Sequence, residues 1–119
     1  MPVSTTVRER ARALLPEGAE IRYIFPASHN DTTFFVVIVT DSSVTVLANR
    51  LWSRNHPKGV WHVFPRNVRI GPIDPGPPPS FELGGQRFEI DDEYVPVVNA
   101  ADAEVTGQDA LPPDPFGGL

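Results

Sequence analysis

The sequence predicts a mainly β protein with a helix near each end, and three observations support this fold class. Short segments rich in β-branched and aromatic residues recur through the middle of the chain, separated by Gly, Pro, Asn or Asp. A short amphipathic segment precedes them, and a second helical segment follows them. At 119 residues the chain is long enough for one domain. We expect a single domain over residues 1–105 and a flexible Pro/Gly-rich tail over residues 106–119.

The N-terminal helix is predicted to begin at Thr6. Thr6 and Glu9 have the spacing of a capping box, in which a hydroxyl and a carboxylate satisfy backbone N–H groups. Apolar residues such as Val7 and Ala11 then fall on one stripe with arginines opposite, and Pro16 ends the run. A helix this short is stable only when its apolar stripe packs on another element, so we expect it to lie on a sheet.

About seven strands are predicted, each a short run of β-branched or aromatic residues. They are residues 20–25, 33–40, 44–48, 60–64, 67–70, 81–83 and 87–90. Pro26 is expected to end the first strand, because proline has no N–H to donate. Residues 41–43 and the Gly84-Gly85 pair are predicted hairpin turns. Strands joined in this way must close or form a sandwich to hide their edges.

The remaining segments are predicted connections and a closing helix. Residues 49–59 and the proline-rich residues 71–79 are expected to be irregular. Acidic residues at 91–93 suit a helix N-terminus, and Pro96 suits a first helical turn. A helix ending near Glu104 is therefore predicted, and it is available to plug an open end of the sheet.

Composition excludes several classes of function. The chain has no cysteine, which removes disulfides, thiolate nucleophiles and Cys-rich zinc sites. The longest apolar run, residues 34–39, is far shorter than the roughly 20 residues that span a bilayer. The N-terminus lacks the charged and apolar regions of a secretory signal, so a cytoplasmic location is expected. A net charge of −5 argues against general nucleic-acid binding.

Charge is unevenly distributed along the chain. Residues 42–73 contain no acid and carry five basic residues, whereas residues 74–119 carry ten acids and one base. One interpretation is that the acidic and basic segments face each other across the fold and neutralise one another. The other is that part of the basic stretch stays exposed as a surface for an anionic partner.

The residue types of catalysis and metal binding do not converge in any known pattern. The three histidines, His29, His56 and His62, match no ligand spacing, so no metal or cofactor is expected. Ser28, His29 and Asp31 are too close in sequence for the geometry of a catalytic triad. There is no Gly-x-Ser-x-Gly elbow and no phosphate-binding glycine loop. We therefore do not expect an enzyme.

The best candidate binding surface in the sequence is a basic and aromatic loop. Trp and Arg are enriched at interface hot spots, because they bury a large area and pair with carboxylates or phosphates. The predicted partner-binding residues are Arg50, Leu51, Trp52, Arg54, His56 and Lys58. The alternative is that Leu51 and Trp52 fold back to cap the sheet while the charges are solvated. Trp61 is expected in the core, since it alternates with His62 in a strand.

The order of these elements resembles the bacterial pleckstrin-homology-like (PH-like) domains over roughly residues 10–104. Four segments carry the resemblance: the approach to the first strand at residues 14–20, the Thr40-Asp41 turn, the Pro65 kink within residues 63–70, and the Gly84-Gly85 hairpin. The chain departs from the family in residues 49–59, which are longer and more basic than a minimal connection, and in Pro96 of the closing helix. The resemblance implies a partly open antiparallel barrel of about seven strands closed by a C-terminal helix.

The resemblance also implies a noncatalytic binding module, since these domains mainly bind partners and their fold does not dictate the ligand. The leading hypothesis is recognition of a protein partner, with homo-oligomers included. The rival is attachment to an anionic membrane through the basic loop at residues 50–58. A small ligand-binding barrel or a hydrolase is a distant third hypothesis. Residues 26–32, where phosphoinositide-binding members carry basic residues, contain no Lys or Arg.

Overall fold

The structure is a computed structural model that describes residues 3–30, 32–50, 53 and 56–109, with side chains as far as Val105. Two α-helices, six strands and a short 3₁₀ helix make up this part of the chain. In chain order they are α1 (Thr5–Arg12), β1 (Tyr23–His29), β2 (Thr33–Val39), β3 (Ser43–Asn49), β4 (Pro57–Pro65), β5 (Ser80–Leu83), β6 (Gln86–Glu89), the 3₁₀ helix Asp92–Tyr94 and α2 (Val95–Asp109).

The strands form one open antiparallel sheet in the order β4-β3-β2-β1-β6-β5. Strands β1 to β4 follow one another as a meander, and the β5–β6 hairpin joins the far side of β1 where Ser28 pairs with Glu89. The mainly β prediction with flanking helices is confirmed. The described chain has six strands rather than seven, however, and they form an open sheet.

The missing strand is the one predicted at residues 67–70. Val68 N–H donates to the Pro65 carbonyl at 3.0 Å, which closes a turn directly after β4. The backbone N–H groups of Ile70 and Gly71 donate to the Asp102 carboxylate of α2, at 2.8 and 2.7 Å. These donors are therefore used by a helix side chain, and the β-rich pattern of this segment does not lead to strand pairing.

β1 runs four residues beyond the predicted end, from Tyr23 through Pro26 to His29. Pro26 pairs with Val36 of β2. On its other side β1 pairs with β6 only at Ser28, so no neighbouring strand there needs an N–H donor at Pro26. The proline is therefore compatible with the strand.

Both faces of the sheet are covered. On one face Val7, Ala11 and Leu15 of the N-terminal segment pack on a buried cluster in the sheet. On the other face Tyr94, Val98 and Ala101, around α2, pack on a larger cluster that contains most of the aromatic core. Because successive residues of a strand point to opposite faces, the apolar run of β2 supplies both clusters.

The sheet is strongly curled around the α2-side cluster. β4 and β6 are four strand spacings apart in the sheet, or about 19 Å in a flat sheet. The ring centroids of Trp61 on β4 and Phe88 on β6 are nevertheless only 5.9 Å apart. Gly84, in the turn between β5 and β6, has a φ of +62° and lies so close to Phe64 that an added Cβ would be 2.7 Å from the ring. The curl thus brings the β5–β6 turn against β4.

The helix boundaries differ from the predicted ones at both ends of the domain. α1 is capped by Ser4, whose Oγ accepts from Val7 N–H at 3.2 Å, and not by Thr6. Either hydroxyl suits an N-cap, so composition alone does not distinguish the two positions. α2 extends to Asp109, so residues 106–109 of the predicted tail are helical. The rest of the predicted tail, residues 110–119, lies outside the described residues.

Candidate functional site

β4 is an edge strand of nine residues, and it is the longest strand of the described sheet. It pairs with β3 on one side. Within the described part of the chain, no backbone hydrogen bond joins its other side to another strand. The outward N–H and C=O groups of such a strand can pair with a further strand.

The large hydrophobic side chains that are exposed in the described chain all lie on β4. The exposed fractions are 49% for Val60, 42% for Trp61 and 54% for Val63. The prediction that Trp61 belongs to the core is therefore wrong. Its strand lies at the sheet edge, where no described strand pairs with its outer side, and not between two others as a buried strand does.

A β-bulge determines how Trp61 is presented. Val46 of β3 pairs with His62, and the next residue, Leu47, pairs with Val60, so Trp61 has no residue opposite it. A bulge of this kind bends the strand and redirects the extra side chain. The Trp61 ring packs edge-on against the rings of Phe35 and Phe88, with centroids 5.9 Å away in each case. The ring is thus anchored on the core at one edge and open to solvent elsewhere.

Apolar side chains line both faces of the β4 edge. Val60 opposes Leu47, which belongs to the α1-side cluster, so Val60 lies on that face. Phe64 opposes Val44 of the other cluster and lies on the α2 face, where its ring is 4.4 Å from that of His62. A strand placed beside β4 would therefore meet apolar neighbours above and below the sheet plane.

The structure locates only part of the predicted loop site. Arg50 is exposed after β3, and its N–H donates to the His56 carbonyl at 2.8 Å, which draws together the two ends of the connection. His56 is half-buried, and Lys58 is exposed within β4 as the extra residue of a second bulge. The predicted site residues Leu51, Trp52 and Arg54 lie outside the described residues.

Arg50 and Arg10, from two segments distant in sequence, both lie close enough to His56 to affect its pKa. Burial lowers the pKa of His56 below its usual value, and the nearby charges of Arg50 and Arg10 lower it further. Arg10 lies on α1, so the helix brings its positive charge close to the connection between β3 and β4. A lowered pKa keeps His56 neutral at pH 7.

Some cations of the basic stretch, residues 42–73, are neutralised within the fold, and others are exposed. Arg66 pairs with Glu104 of α2 at 2.9 Å, so this cation is neutralised across the fold. Arg50 and Lys58 are exposed, and no ion pair joins either of them to another described residue. The exposed cations lie at the end of β4 that follows the β3–β4 connection.

The apolar edge of β4 was not predicted from the sequence, although a strand was predicted at residues 60–64. Val60 to Phe64 contain apolar residues at nearly every position, a pattern that usually indicates burial on both faces. The presence of Lys58, a charged residue typical of edge strands, was the one available signal.

Elsewhere, an open cleft of about 460 Å³ lies between β1, β2, the end of β6 and the 3₁₀ helix, where Glu89, Asp91 and Tyr94 line it together with Phe34. Within the described residues, no three His, Asp or Glu side chains are grouped so that they could hold a metal ion.

Comparison of the chain with protein-family models, with curated proteins and with solved structures finds no match. No helix among the described residues is long and apolar enough to cross a membrane.

Proposed function

We propose that this chain is a noncatalytic PH-like binding module that captures an extended segment of a partner protein along β4. The observation that carries the proposal is the outer side of β4, where backbone that pairs with no other described strand lies beside the exposed side chains of Val60, Trp61 and Val63. Backbone hydrogen bonds would supply affinity in such strand addition, and the alternating side chains would supply specificity.

The helix–sheet–helix order and the curled antiparallel sheet support the PH-like part of the proposal. α2 covers one face of the sheet, as the closing helix of that family does. The Gly84-Gly85 hairpin and the Thr40-Asp41 turn occur at the positions on which the resemblance rests. The proposed class is a binding scaffold, and its ligand depends on the β4 surface and not on the fold.

The geometry of β4 favours a protein strand over a lipid surface. An inserted edge strand would carry unpaired N–H and C=O groups into a region without water, and each such group costs several kcal/mol there. Val60 and Phe64 also lie on opposite faces of the sheet, whereas a membrane contacts one side of a protein. An added strand satisfies the backbone groups and contacts both faces at once.

The test uses a synthetic neutral peptide of about ten alternating Val and Thr residues, with binding measured by isothermal titration calorimetry. We expect a dissociation constant on the order of micromolar for the wild type. Val63→Lys should raise it by more than about tenfold, because an edge lysine opposes strand pairing. Glu82→Lys is the matched control, since Glu82 is an exposed residue of the opposite edge strand β5. It should bind as the wild type does.

A second peptide of the same sequence, N-methylated at alternate residues, cannot donate to β4 and should not bind. Equal binding by Val63→Lys and Glu82→Lys, or binding of the methylated peptide, would overturn strand addition. Binding to vesicles of phosphatidylglycerol and phosphatidylcholine, without peptide binding, would put the membrane hypothesis in its place.

A further inference from the structure

The two ends of β4 differ in their balance of charge. At the Pro65 end, cations and carboxylates alternate: Arg66 pairs with Glu104, and Arg22 pairs with both Glu104 and Asp41, all at 2.9 Å. Arg22 and Arg66 therefore already have anionic partners within the protein.

At the other end of β4 the exposed cations Lys58 and Arg50 have no such partner among the described residues. No acid occurs in residues 42–73, which include both strands that border this end. Arg10 of α1 adds its field, as its effect on His56 shows. This effect of Arg10 arises only in the folded chain, because α1 and the β3–β4 connection are about 40 residues apart.

We infer that the segment captured by β4 carries Asp or Glu residues at the end that lies beside Lys58. The inference rests on the proposed function of β4 as a strand-binding edge. Antiparallel pairing extends the existing sheet in its own pattern, and it places the C-terminal end of the added segment beside Lys58. Carboxylates there would complement the exposed cations and would align the segment along the strand.

Two other occupants fit this end less well. A second copy of the chain pairing through its own β4 would bring residues 57–65, which contain no acid, and so would leave Lys58 uncompensated. The chain's own C-terminal segment contains an acid, but in Pro112-Pro113-Asp114-Pro115 three of four residues lack the N–H that strand pairing needs. An acidic segment of a different protein is the occupant that the charges favour.

The test compares three peptides that share the alternating Val/Thr core and end in three Glu, three Gln or three Lys residues. We expect the Glu peptide to bind about tenfold more tightly than the Lys peptide, with the Gln peptide between them. The difference should shrink as salt is raised, because the cations are exposed and screened.

Lys58→Glu tests the assignment to this end of the strand. It should bring the ratio of the dissociation constants of the Lys and Glu peptides close to one. Arg87→Glu, the same change at an exposed cation of β6, should leave that ratio at about ten.

The outcomes separate this inference from the proposed function. Equal binding of all three peptides by the wild type would overturn the charge preference and leave strand capture standing. An equal effect of Lys58→Glu and Arg87→Glu would overturn the assignment to the Lys58 end. If no peptide binds, the proposed function fails as well. A concentration-dependent dimer in sedimentation, lost in Val63→Lys, would then assign the edge to a second copy.

Discussion

The two edges of the sheet are built differently. β5, at one edge, has four residues, and its outer side is met by the preceding segment. Asp74 N–H donates to the Ser80 carbonyl at 2.7 Å, and Ser80 N–H donates to the Asp74 carbonyl at 2.9 Å. β4, at the other edge, has nine residues and no such cover among the described residues.

Within the part of the chain that the structure describes, a neighbouring segment therefore protects the β5 edge, and none protects the β4 edge in this way. The proline-rich segment 71–79 meets the first residue of β5 through Asp74, and its prolines leave few donors there for another chain. At β4, two bulges and the charge of Lys58 are the protection. Such features discourage long regular pairing between identical edges, but they leave room for a short matched segment.

The largest expected effect is a difference in stability between a substitution on β5 and one on β4. Phe81 of β5 is buried, and its ring lies 5.4 Å from that of Phe88. Phe81→Ala should lower the free energy of unfolding by about 3–5 kcal/mol, because it leaves a cavity in the core. Trp61→Ala on β4 should lower it by only about 1 kcal/mol, since much of that ring is already in water.

Urea denaturation followed by circular dichroism measures both values. Trp61→Ala should also lose peptide binding, which Phe81→Ala at a temperature where it stays folded should retain. Equal destabilisation by the two changes would contradict the distinction between a structural edge and a binding edge.

A smaller effect is expected where α2 holds the segment that leads to β5. The Asp102 carboxylate accepts from Ile70 and Gly71 N–H, so Asp102→Ala leaves two part-buried donors without partners. We expect a loss of about 1–3 kcal/mol in unfolding free energy. Hydrogen exchange should speed up at residues 70–80 and not in β4. Asp102→Asn, which keeps one acceptor oxygen, is the control and should lose less.

The smallest effect concerns the charge-balanced end of β4. Hydrogen bonds from Tyr23, Arg66 and Arg22 lower the pKa of Glu104, despite the opposing effect of burial. A carboxyl whose pKa is lower in the folded state contributes stability above its unfolded pKa and loses it as the pH falls through the folded value. Glu104→Gln should therefore cost below about 1 kcal/mol at pH 7, because the pairs are partly exposed, and almost nothing at low pH.

Urea titrations at pH 7 and pH 3 would measure this difference in unfolding free energy. A cost for Glu104→Gln that is the same at both pH values would show that the carboxylate charge contributes nothing to stability.

The local elements were predictable because each depends on a few neighbouring residues. The turn after β2 closes through Thr40 N–H to the Ser43 carbonyl at 2.9 Å, and Thr40 Oγ1 accepts from Ser43 N–H at 3.1 Å. Gly84 and Gly85 both have positive φ, which glycine adopts without strain. Hairpins and helices of this kind are encoded in adjacent side chains.

The candidate site was only partly predictable for a different reason. The basic residues Arg50 and Lys58 were identified from composition, but the exposed side chains of Val60, Trp61 and Val63 were not. A run of apolar residues has the same appearance in a central strand and in an edge strand. Whether it is buried depends on which strand pairs beside it.

The sequence by itself determined the mainly β class, the two flanking helices, the hairpin turns and the uneven distribution of charge. The tertiary structure alone decided the strand order and the absence of strand pairing at residues 67–70. It also decided the curl that brings Trp61 against Phe88 and the approach of Arg10 and Arg50 to His56. The physical reason is the range of the interactions. Turn and helix preferences act over a few residues, whereas edges, curvature and electrostatic potential arise from contacts between residues that are distant in sequence.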